Sequence, residues 1–201
     1  MYLLSGEKIT CGYGAVDIVI NCNIGVYKGK ISSVVGPNGA GKSTAMKALF
    51  GLLPIKHGKV FFDGEDITNL QPQQRVLKGM GFVPQTNNIF PSLTVQENLE
   101  MGAFIDQNNI NEMLEYVYDL FPILKDKKNQ DAGELSGGQR QQVAVGRALM
   151  TKPKLLMLDE PSAGVSPIIM DGLFTKIKQI ANQGTAVLMV EQNAKQALKI
   201  S

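Results

Sequence analysis

The sequence of 201 residues has no tryptophan, one histidine and two cysteines, and each shortage weighs against a class of chemistry. A structural zinc site needs about four cysteine or histidine ligands at close spacing, which His57, Cys11 and Cys22 cannot supply. A histidine-activated nucleophile would have to use His57, which lies in a turn-like stretch between Pro54 and Gly58. We therefore interpret His57 as a solvated turn residue rather than a catalytic one.

Long apolar runs and a charge excess are also missing. The longest apolar stretch, Ala48 to Ile55, is interrupted by Gly51 and Pro54, whereas a membrane helix needs about 18 residues or more. The net charge of +2 indicates neither nucleic acid nor an anionic membrane surface as the main partner. A hydrophobic content of 44% with 19% charged residues is typical of one globular domain, or of one core with an insertion. Nothing suggests secretion, so we expect free thiols in a cytosolic protein.

Short apolar runs alternate with helix-forming stretches. We predict strands at 31–35, 60–62, 155–158 and 186–190. We predict helices over 43–53, in two segments between 94 and 124, from 136 to about 151, and from 166 to about 183. Strands separated by helices predict an α/β fold with a largely parallel sheet. The polar stretch 125–131 is the predicted seam where a helical insertion rejoins the core.

The strongest motif is GPNGAGKST, which matches the pattern GxxxxGK followed by Ser or Thr, between a predicted strand and a predicted helix. Backbone N–H groups at a helix N-terminus can wrap a phosphate chain, and glycine lets the main chain come that close. Lys42 would contact the β- and γ-phosphates, and the Ser43 hydroxyl would bind Mg²⁺. The predicted phosphate loop comprises Gly36, Pro37, Asn38, Gly39, Ala40, Gly41, Lys42, Ser43 and Thr44.

Two acids end a predicted buried strand in the sequence LLMLDE. Ligands of open α/β sheets bind at the carboxyl ends of the strands, which is where Asp159 and Glu160 lie. We predict that Asp159 holds Mg²⁺, directly or through water, and that Glu160 polarises the attacking water. The alternative is that adjacent acids before Pro161 only cap a turn.

The sequence LSGGQ opens the predicted helix that follows Leu135. Ser136 and Gln139 form a capping box, which is a sufficient structural reason for both. A cap does not require two glycines in the first turn, where each costs up to about 1 kcal/mol relative to alanine. Gly137 and Gly138 therefore suggest that another group approaches this backbone, and we predict a second anion site here.

In their order and approximate spacing, these three motifs resemble the ATP-binding cassette (ABC) ATPases over nearly the whole chain. The stretches SAGVSP (162–167) and VEQNAKQALK (190–199) look most like the ATPase subunits of branched-chain amino-acid importers. The resemblance implies a P-loop NTPase core with a largely parallel sheet, antiparallel N-terminal strands and an inserted helical subdomain. It also implies ATP and Mg²⁺ as cofactors.

The resemblance assigns roles that spacing alone does not. Gln85, in GFVPQ, matches the glutamine that reaches the metal and the attacking water and links the ATP site to the transmembrane partner. Tyr13 matches the aromatic residue that stacks on adenine, although an ordinary strand or turn aromatic is the alternative. The LSGGQ matches the signature that closes over the γ-phosphate of ATP on the opposite subunit of a head-to-tail dimer. Its expected nucleotide contacts are Ser136, Gly137, Gly138 and Gln139.

The chain departs from the family pattern in three places. Ser166 stands where many members have an aspartate, and Gln192 stands where most have a histidine. Glutamine can donate a hydrogen bond to a γ-phosphate but stays neutral at every pH, so we predict a weaker catalytic contact and an unlike partner subunit that carries the histidine. The alternative is that Gln192 is a solvated residue at a strand end. The sequence also stops at Ser201, where the resemblance leads us to expect further strands and helices.

We therefore expect an ATP-hydrolysing importer subunit that is cytoplasmic and peripheral on the inner face of the cell membrane. The expected core spans 1–86 and 151–201, and the helical subdomain spans 87–150. The expected partners are permease subunits, a second ABC ATPase subunit and, indirectly, a solute-binding protein, with no nucleic acid. The resemblance suggests branched-chain or other hydrophobic amino acids as solutes. The alternatives are a soluble ABC-type ATPase acting on ribosomes or DNA, and a nucleotide-binding subunit with little turnover.

Overall fold

The computed structural model describes residues 1–105, 107–192, 194 and 197. In chain order its strands and α-helices are β1 (Tyr2–Tyr13), β2 (Val16–Tyr27), β3 (Ile31–Val35), α1 (Lys42–Phe50), β4 (Ile55–Phe62), β5 (Glu65–Asp66), α2 (Pro72–Leu77), β6 (Met80–Val83), α3 (Val95–Glu100), α4 (Ile110–Leu120), α5 (Pro122–Asp126), α6 (Gly137–Leu149), β7 (Leu155–Asp159), α7 (Pro167–Asn182) and β8 (Ala186–Glu191). None of the helices in this described part is long and apolar enough to cross a membrane. Most of the 190–199 stretch beyond Gln192 lies outside the described residues.

An antiparallel sheet is formed mainly by the N-terminal half of the chain, with strand order β2-β1-β4-β5. Its long hairpin, β1 with β2, turns through two residues, and Gly14 has the positive φ of 56° that such tight turns use. The expectation of antiparallel N-terminal strands is thus confirmed.

A parallel sheet has the strand order β3-β8-β7-β6, as the alternation of strands and helices predicted. Three of the predicted strands are confirmed with at most one residue of difference, and β4 is longer than the predicted 60–62. β6 was not predicted, because its four residues include Gly81. Val35 is in register with Glu191, and Asp159 with Val190. The carboxyl ends of β3, β8 and β7 therefore meet at one edge of the sheet.

The parallel sheet is buried on both faces, which explains why its strands are continuous apolar runs. Leu155 and Met157 pack with α1 and the antiparallel sheet, whereas Leu156 and Leu158 pack with the helices of the opposite face. This alternation follows from the two-residue period of a strand. The parallel sheet thus separates two apolar cores.

The helices of the 95–149 region pack on the second of these cores. Thr94 caps α3 through a capping box with Glu97, and the apolar face of α4 is buried. A bridge between Thr94 and Asp131 brings the predicted seam at 125–131 back to the start of α3. The division into a core and a subdomain of 87–150 stays a prediction.

Arg75, in α2, is a buried cation that the sequence analysis did not single out. It is 1% exposed, and its guanidinium donates to the carbonyl oxygens of Leu49 at 2.7 Å, Thr68 at 2.9 Å and Leu70 at 2.9 Å. Burial lowers its pKa to about 10, so it remains charged at neutral pH. Because Leu49 lies in the last turn of α1, Arg75 stabilises the carbonyl end of the helix whose other end carries Lys42.

Candidate active site

The phosphate loop connects β3 to α1 at the carboxyl edge of the parallel sheet. Gly39 and Gly41 have φ values of 81° and 84°, the left-handed conformation that the motif predicted for glycine. A Cβ on Gly41 would approach side-chain atoms of Val19 and Ile18 within 3.1 to 3.2 Å. The loop is therefore pressed against β2, and the first turn of α1 carries no acidic residue that would repel an anion.

A cleft of about 290 Å³ lies over this loop. It is lined by Tyr13 and Ile18 from the hairpin, by Asn38 and Lys42 from the loop and helix, and by Glu160. Tyr13 is half exposed, so one part of its ring is free to contact a ligand. The structure thus brings Tyr13 to the same cleft as the loop, which the residues alone did not predict.

Lys42 is buried and lies against a carboxylate. Its Nζ donates to the carbonyl oxygen of Pro37 at 3.0 Å and lies 3.4 Å from Oε1 of Glu160. The side chains of Lys42 and Glu160 are 6% and 8% exposed, so the two charges compensate each other with little help from water. A phosphate chain in the cleft would compete with Glu160 for this lysine.

Ser43 and Asp159, each predicted to bind Mg²⁺, form a second pair. The Ser43 hydroxyl donates to Oδ1 of Asp159 at 2.6 Å, and Asp159 is buried. Burial raises the pKa of Asp159, an effect opposed by the hydrogen bond from Ser43. One hydroxyl and one carboxylate oxygen are the ligand types that Mg²⁺ prefers.

These donors fit Mg²⁺ as it binds nucleotides. Within the described ranges, no cluster of three or more His, Cys, Asp or Glu residues could hold a metal ion. Magnesium commonly uses one or two protein oxygens together with phosphate oxygens and water. Ser43 and Asp159 therefore suit a metal that arrives with a phosphate chain, and not a permanent all-protein site.

Glu160 accepts hydrogen bonds from two further predicted residues, Gln85 and Gln192. Its Oε2 accepts hydrogen bonds from Nε2 of Gln85 at 3.0 Å and from Nε2 of Gln192 at 2.7 Å. Its backbone has a φ of 48°, which is uncommon outside glycine. Gln192 therefore does more than end a strand, because its amide contacts the predicted base.

The LSGGQ segment forms the N-terminus of α6 and is separate from this cluster. Ser136 Oγ accepts from the Gln139 backbone N–H at 3.3 Å, and Gln139 Oε1 accepts from the Ser136 N–H at 3.0 Å. The predicted capping box is therefore present. Among the described residues, no hydrogen bond joins 136–139 to the phosphate loop of the same chain.

The two glycines of this segment differ. A Cβ on Gly138 would lie 2.4 Å from Cγ2 of Ile169, so close packing against α7 requires glycine there. Among the residues that the structure describes, a Cβ on Gly137 would meet nothing closer than 3.8 Å, where the carbonyl oxygen of Gly164 lies. The space beside Gly137 is therefore compatible with the approach of another group, which stays a prediction, whereas Gly138 is explained by its packing against Ile169.

Two further contacts at the sheet edge were missed in the sequence. Glu191, buried at the end of β8, accepts hydrogen bonds from Ser162. The signal that identified Asp159, an acid at the end of an apolar strand, is equally present in AVLMVE and could have found it. Asn88, just after Gln85, donates to Gln141 of α6 at 2.8 Å, a contact that no local pattern indicates.

The family model and the three similar proteins described here all come from ABC transporters or transport systems. A family model described as ABC transporter matches residues 19–163. The high-affinity branched-chain amino acid transport ATP-binding protein BraG of Pseudomonas aeruginosa is 42% identical over 200 residues, covering 99% of this chain and 86% of that protein. The probable branched-chain amino acid transport ATP-binding protein LivF of Archaeoglobus fulgidus is 40% identical over 201 residues, covering 99% and 85%. The lipopolysaccharide export system ATP-binding protein LptB of Haemophilus influenzae is 34% identical over 204 residues, covering 100% and 84%.

Solved structures agree in fold. A nucleotide-free ATP-binding cassette from an ABC transporter has a TM-score of 0.87 and 33% identity, covering 100% of this chain and 85% of that one. The ADP conformation of an ATP-binding cassette of an ABC transporter gives the same values.

Proposed function

The chain belongs to the ABC transporter family, whose ATP-binding subunits are ATPases, and we propose that it hydrolyses ATP to energise solute uptake through a membrane permease. The observation that carries the proposal is the convergence of Lys42, Gln85 and Gln192 on the Glu160 carboxylate. This cluster lies beside a glycine loop at a helix N-terminus. A buried carboxylate with that surrounding suits a base that acts next to a phosphate.

In the proposed mechanism, Lys42 moves from Glu160 and Pro37 to the phosphate oxygens, and the backbone N–H groups of the loop hold the same phosphates. Ser43 and Asp159 would hold Mg²⁺, which would supply positive charge that neutralises the phosphates. Glu160 then takes the proton of the attacking water as the water oxygen bonds to the γ-phosphorus and the bond to the bridging oxygen breaks, so that this oxygen leaves with ADP. The amides of Gln85 and Gln192 hold the Glu160 carboxylate in place.

Tyr13 would stack on the adenine, because it lines the cleft and exposes part of its ring. Aromatic stacking on a base contributes about 1–3 kcal/mol in single-stranded nucleic-acid complexes, and we take this as a guide to scale. The contact would bind nucleotide without taking part in hydrolysis.

The signature at 136–139 would contact ATP that is bound to another subunit. Within the part of the chain that the structure describes, the N-terminus of α6 is capped but not joined to the chain's own phosphate loop, and no atom lies close to the position of a Cβ on Gly137. Both observations support a head-to-tail pair of ATPase subunits. Because Gln192 stays neutral, we propose an unlike partner that carries a histidine at this position.

Uptake of branched-chain or other hydrophobic amino acids is the transport function we propose. It is supported by the higher identity to the branched-chain transport proteins, 42% and 40%, than to the lipopolysaccharide export protein, 34%. The chain would bind the inner face of the membrane through its permease, with a solute-binding protein as an indirect partner. The 34% identity to an export ATPase makes lipopolysaccharide export the second candidate.

The proposal is tested by purifying the full chain from membranes together with its permease. We expect reconstituted vesicles to accumulate radiolabelled leucine, isoleucine or valine in the presence of ATP, and Lys42→Ala in the same complex to abolish uptake. A matched control, Lys125→Ala, changes an exposed lysine that does not line the cleft and should leave uptake intact. Co-purification with lipopolysaccharide-export components would favour the second candidate, and the absence of any membrane partner would contradict both.

A further inference from the structure

Glu191 is a buried carboxylate that the proposed mechanism does not use. It is 1% exposed, and its Oε2 accepts the Ser162 hydroxyl at 2.6 Å while its Oε1 accepts the Ser162 backbone N–H at 3.3 Å. Burial raises its pKa, and the bonds from Ser162 oppose that rise. In the described part of the chain, no lysine or arginine forms an ion pair with it.

The contact lies directly beside the predicted base. Glu160 and Ser162 are two residues apart after β7, and Glu191 and Gln192 are adjacent at the end of β8. Gln192 bonds to the Glu160 carboxylate at 2.7 Å, and the Glu160 N–H donates to the Val190 carbonyl at 3.1 Å. The Glu191–Ser162 pair is therefore one more link that continues the β7–β8 pairing beyond the last register pair, Asp159 with Val190.

The Glu191–Ser162 contact can restrain the backbone next to Glu160. Glu160 has a left-handed φ of 48°, and an uncommon backbone conformation persists only when the surrounding structure holds it. A buried carboxylate without a cation is a poor source of stability. The two bonds to one residue do, however, restrain the chain immediately after Glu160.

We propose that Glu191 is a positioning residue, which clamps Ser162 and thereby holds the Glu160 carboxylate between Gln85 and Gln192. The proposal rests on the proposed role of Glu160 as the base. Among the described residues, the Glu191 carboxylate makes no hydrogen bond to the phosphate loop and Glu191 does not line the cleft, so its replacement should lower the rate of hydrolysis and leave nucleotide binding unchanged.

The test compares Glu191→Ala, Glu191→Gln and Ser162→Ala in the full chain assembled with its permease. We expect Glu191→Ala to lower kcat about ten- to a hundredfold, the scale of a small misplacement, with the Kd for MgATP within about twofold of wild type. Glutamine can accept the Ser162 N–H and donate to its hydroxyl, so Glu191→Gln should stay within about threefold in kcat. Glu115→Ala, which removes an exposed carboxylate paired with Lys125, is the control.

A double variant separates positioning from a general loss of structure. Because both partners act through one contact, Glu191→Ala with Ser162→Ala should be no slower than the slower single variant. Four results would each overturn the proposal. They are a loss of kcat in the double variant that equals the product of the two single losses, an unchanged kcat in Glu191→Ala, equal losses of kcat in the alanine and glutamine variants, and a loss of MgATP affinity that matches the loss of kcat. If Glu191→Ala does not fold, Ser162→Ala decides, and an unchanged kcat there has the same consequence.

Glu160→Gln in the same series separates the role of Glu160 as the base from the positioning role of Glu191. If Glu160→Gln retains wild-type turnover, the role of Glu160 is wrong and the positioning role fails with it. If Glu160→Gln is inactive and Glu191→Ala is as fast as wild type, only the positioning role is wrong.

Discussion

Replacing Glu160 with glutamine removes one negative charge and keeps the shape of the side chain. The carboxylate now faces three donors: Gln85 and Gln192 on Oε2, at 3.0 and 2.7 Å, and Lys42 at 3.4 Å from Oε1. A glutamine oxygen in the place of Oε2 would keep both amide bonds. Its NH₂ group would then face the Lys42 ammonium, donor against donor.

The expected loss of kcat follows from removing the general base, and the expected change in affinity follows from the effect on Lys42. Removing a positioned general base costs about 10²–10⁴ in rate, which is about 3 to 5.5 kcal/mol of barrier at 1.36 kcal/mol per factor of ten. Lys42 keeps its bond to the Pro37 carbonyl and no longer has a buried partner from which a phosphate must withdraw it. We therefore expect kcat to fall at least a hundredfold, and MgATP affinity to be equal to wild type or tighter.

Phosphate release under saturating MgATP measures kcat, and titration calorimetry of the same preparation measures affinity. Because bound ATP would persist, light scattering should show an ATP-stabilised dimer of the ATPase subunits. A kcat within tenfold of wild type would show that Glu160 is not the base. Loss of affinity in parallel with kcat would show that the carboxylate binds nucleotide, contrary to the mechanism.

Three further predictions use the same assays. Lys42→Ala should abolish productive MgATP binding, because the remaining donors of the loop are neutral and fixed; retained affinity and turnover would exclude the phosphate-loop assignment. Gln192→Ala should slow hydrolysis, because Glu160 loses its 2.7 Å bond, and Gln192→His should make the rate depend on pH near the histidine pKa of about 6.5; an alanine variant as fast as wild type would dismiss this role. Gly138→Ala should lower thermal stability, whereas Gly137→Ala should leave the isolated chain at least as stable as wild type, because alanine has the higher helix propensity, and should slow only the assembled ATPase; equal melting temperatures for the two variants would contradict close packing at Gly138.

The parallel sheet and the phosphate loop could be predicted from residues because their signals are local. Strands buried on both faces are uninterrupted apolar runs, and the loop combines glycines, Lys42 and Ser43 at fixed spacing. The N-terminal hairpin offers no such pattern. Its pairing contains several register shifts, and Lys8 and Asn21 have positive φ values, so the two-residue alternation of a strand is broken. Only the family resemblance indicated these strands.

Some residues of the candidate site can also be predicted from the sequence alone, and others cannot. Asp159 and Glu160 follow from the rule that ligands bind at the carboxyl ends of parallel strands. Gln85 and Gln192 came from the family resemblance, because a single glutamine after a strand has no signature of its own. Arg75 could not be found at all, since its partners are backbone carbonyls that any residue possesses.

The contrast between Gly137 and Gly138 bears on how many chains an active unit needs. Gly138 is explained inside the chain, because Ile169 leaves no room for a Cβ, so its presence says nothing about a partner. Gly137 has open space among the described residues and costs up to about 1 kcal/mol in helix propensity relative to alanine, so the packing that the structure describes gives no reason to keep it. A group that needs the bare backbone of Gly137 would have to come from outside the chain's own cleft, because the capped start of α6 makes no hydrogen bond to the phosphate loop among the described residues. The proposed two-subunit arrangement therefore depends on this single glycine more than on the LSGGQ motif as a whole.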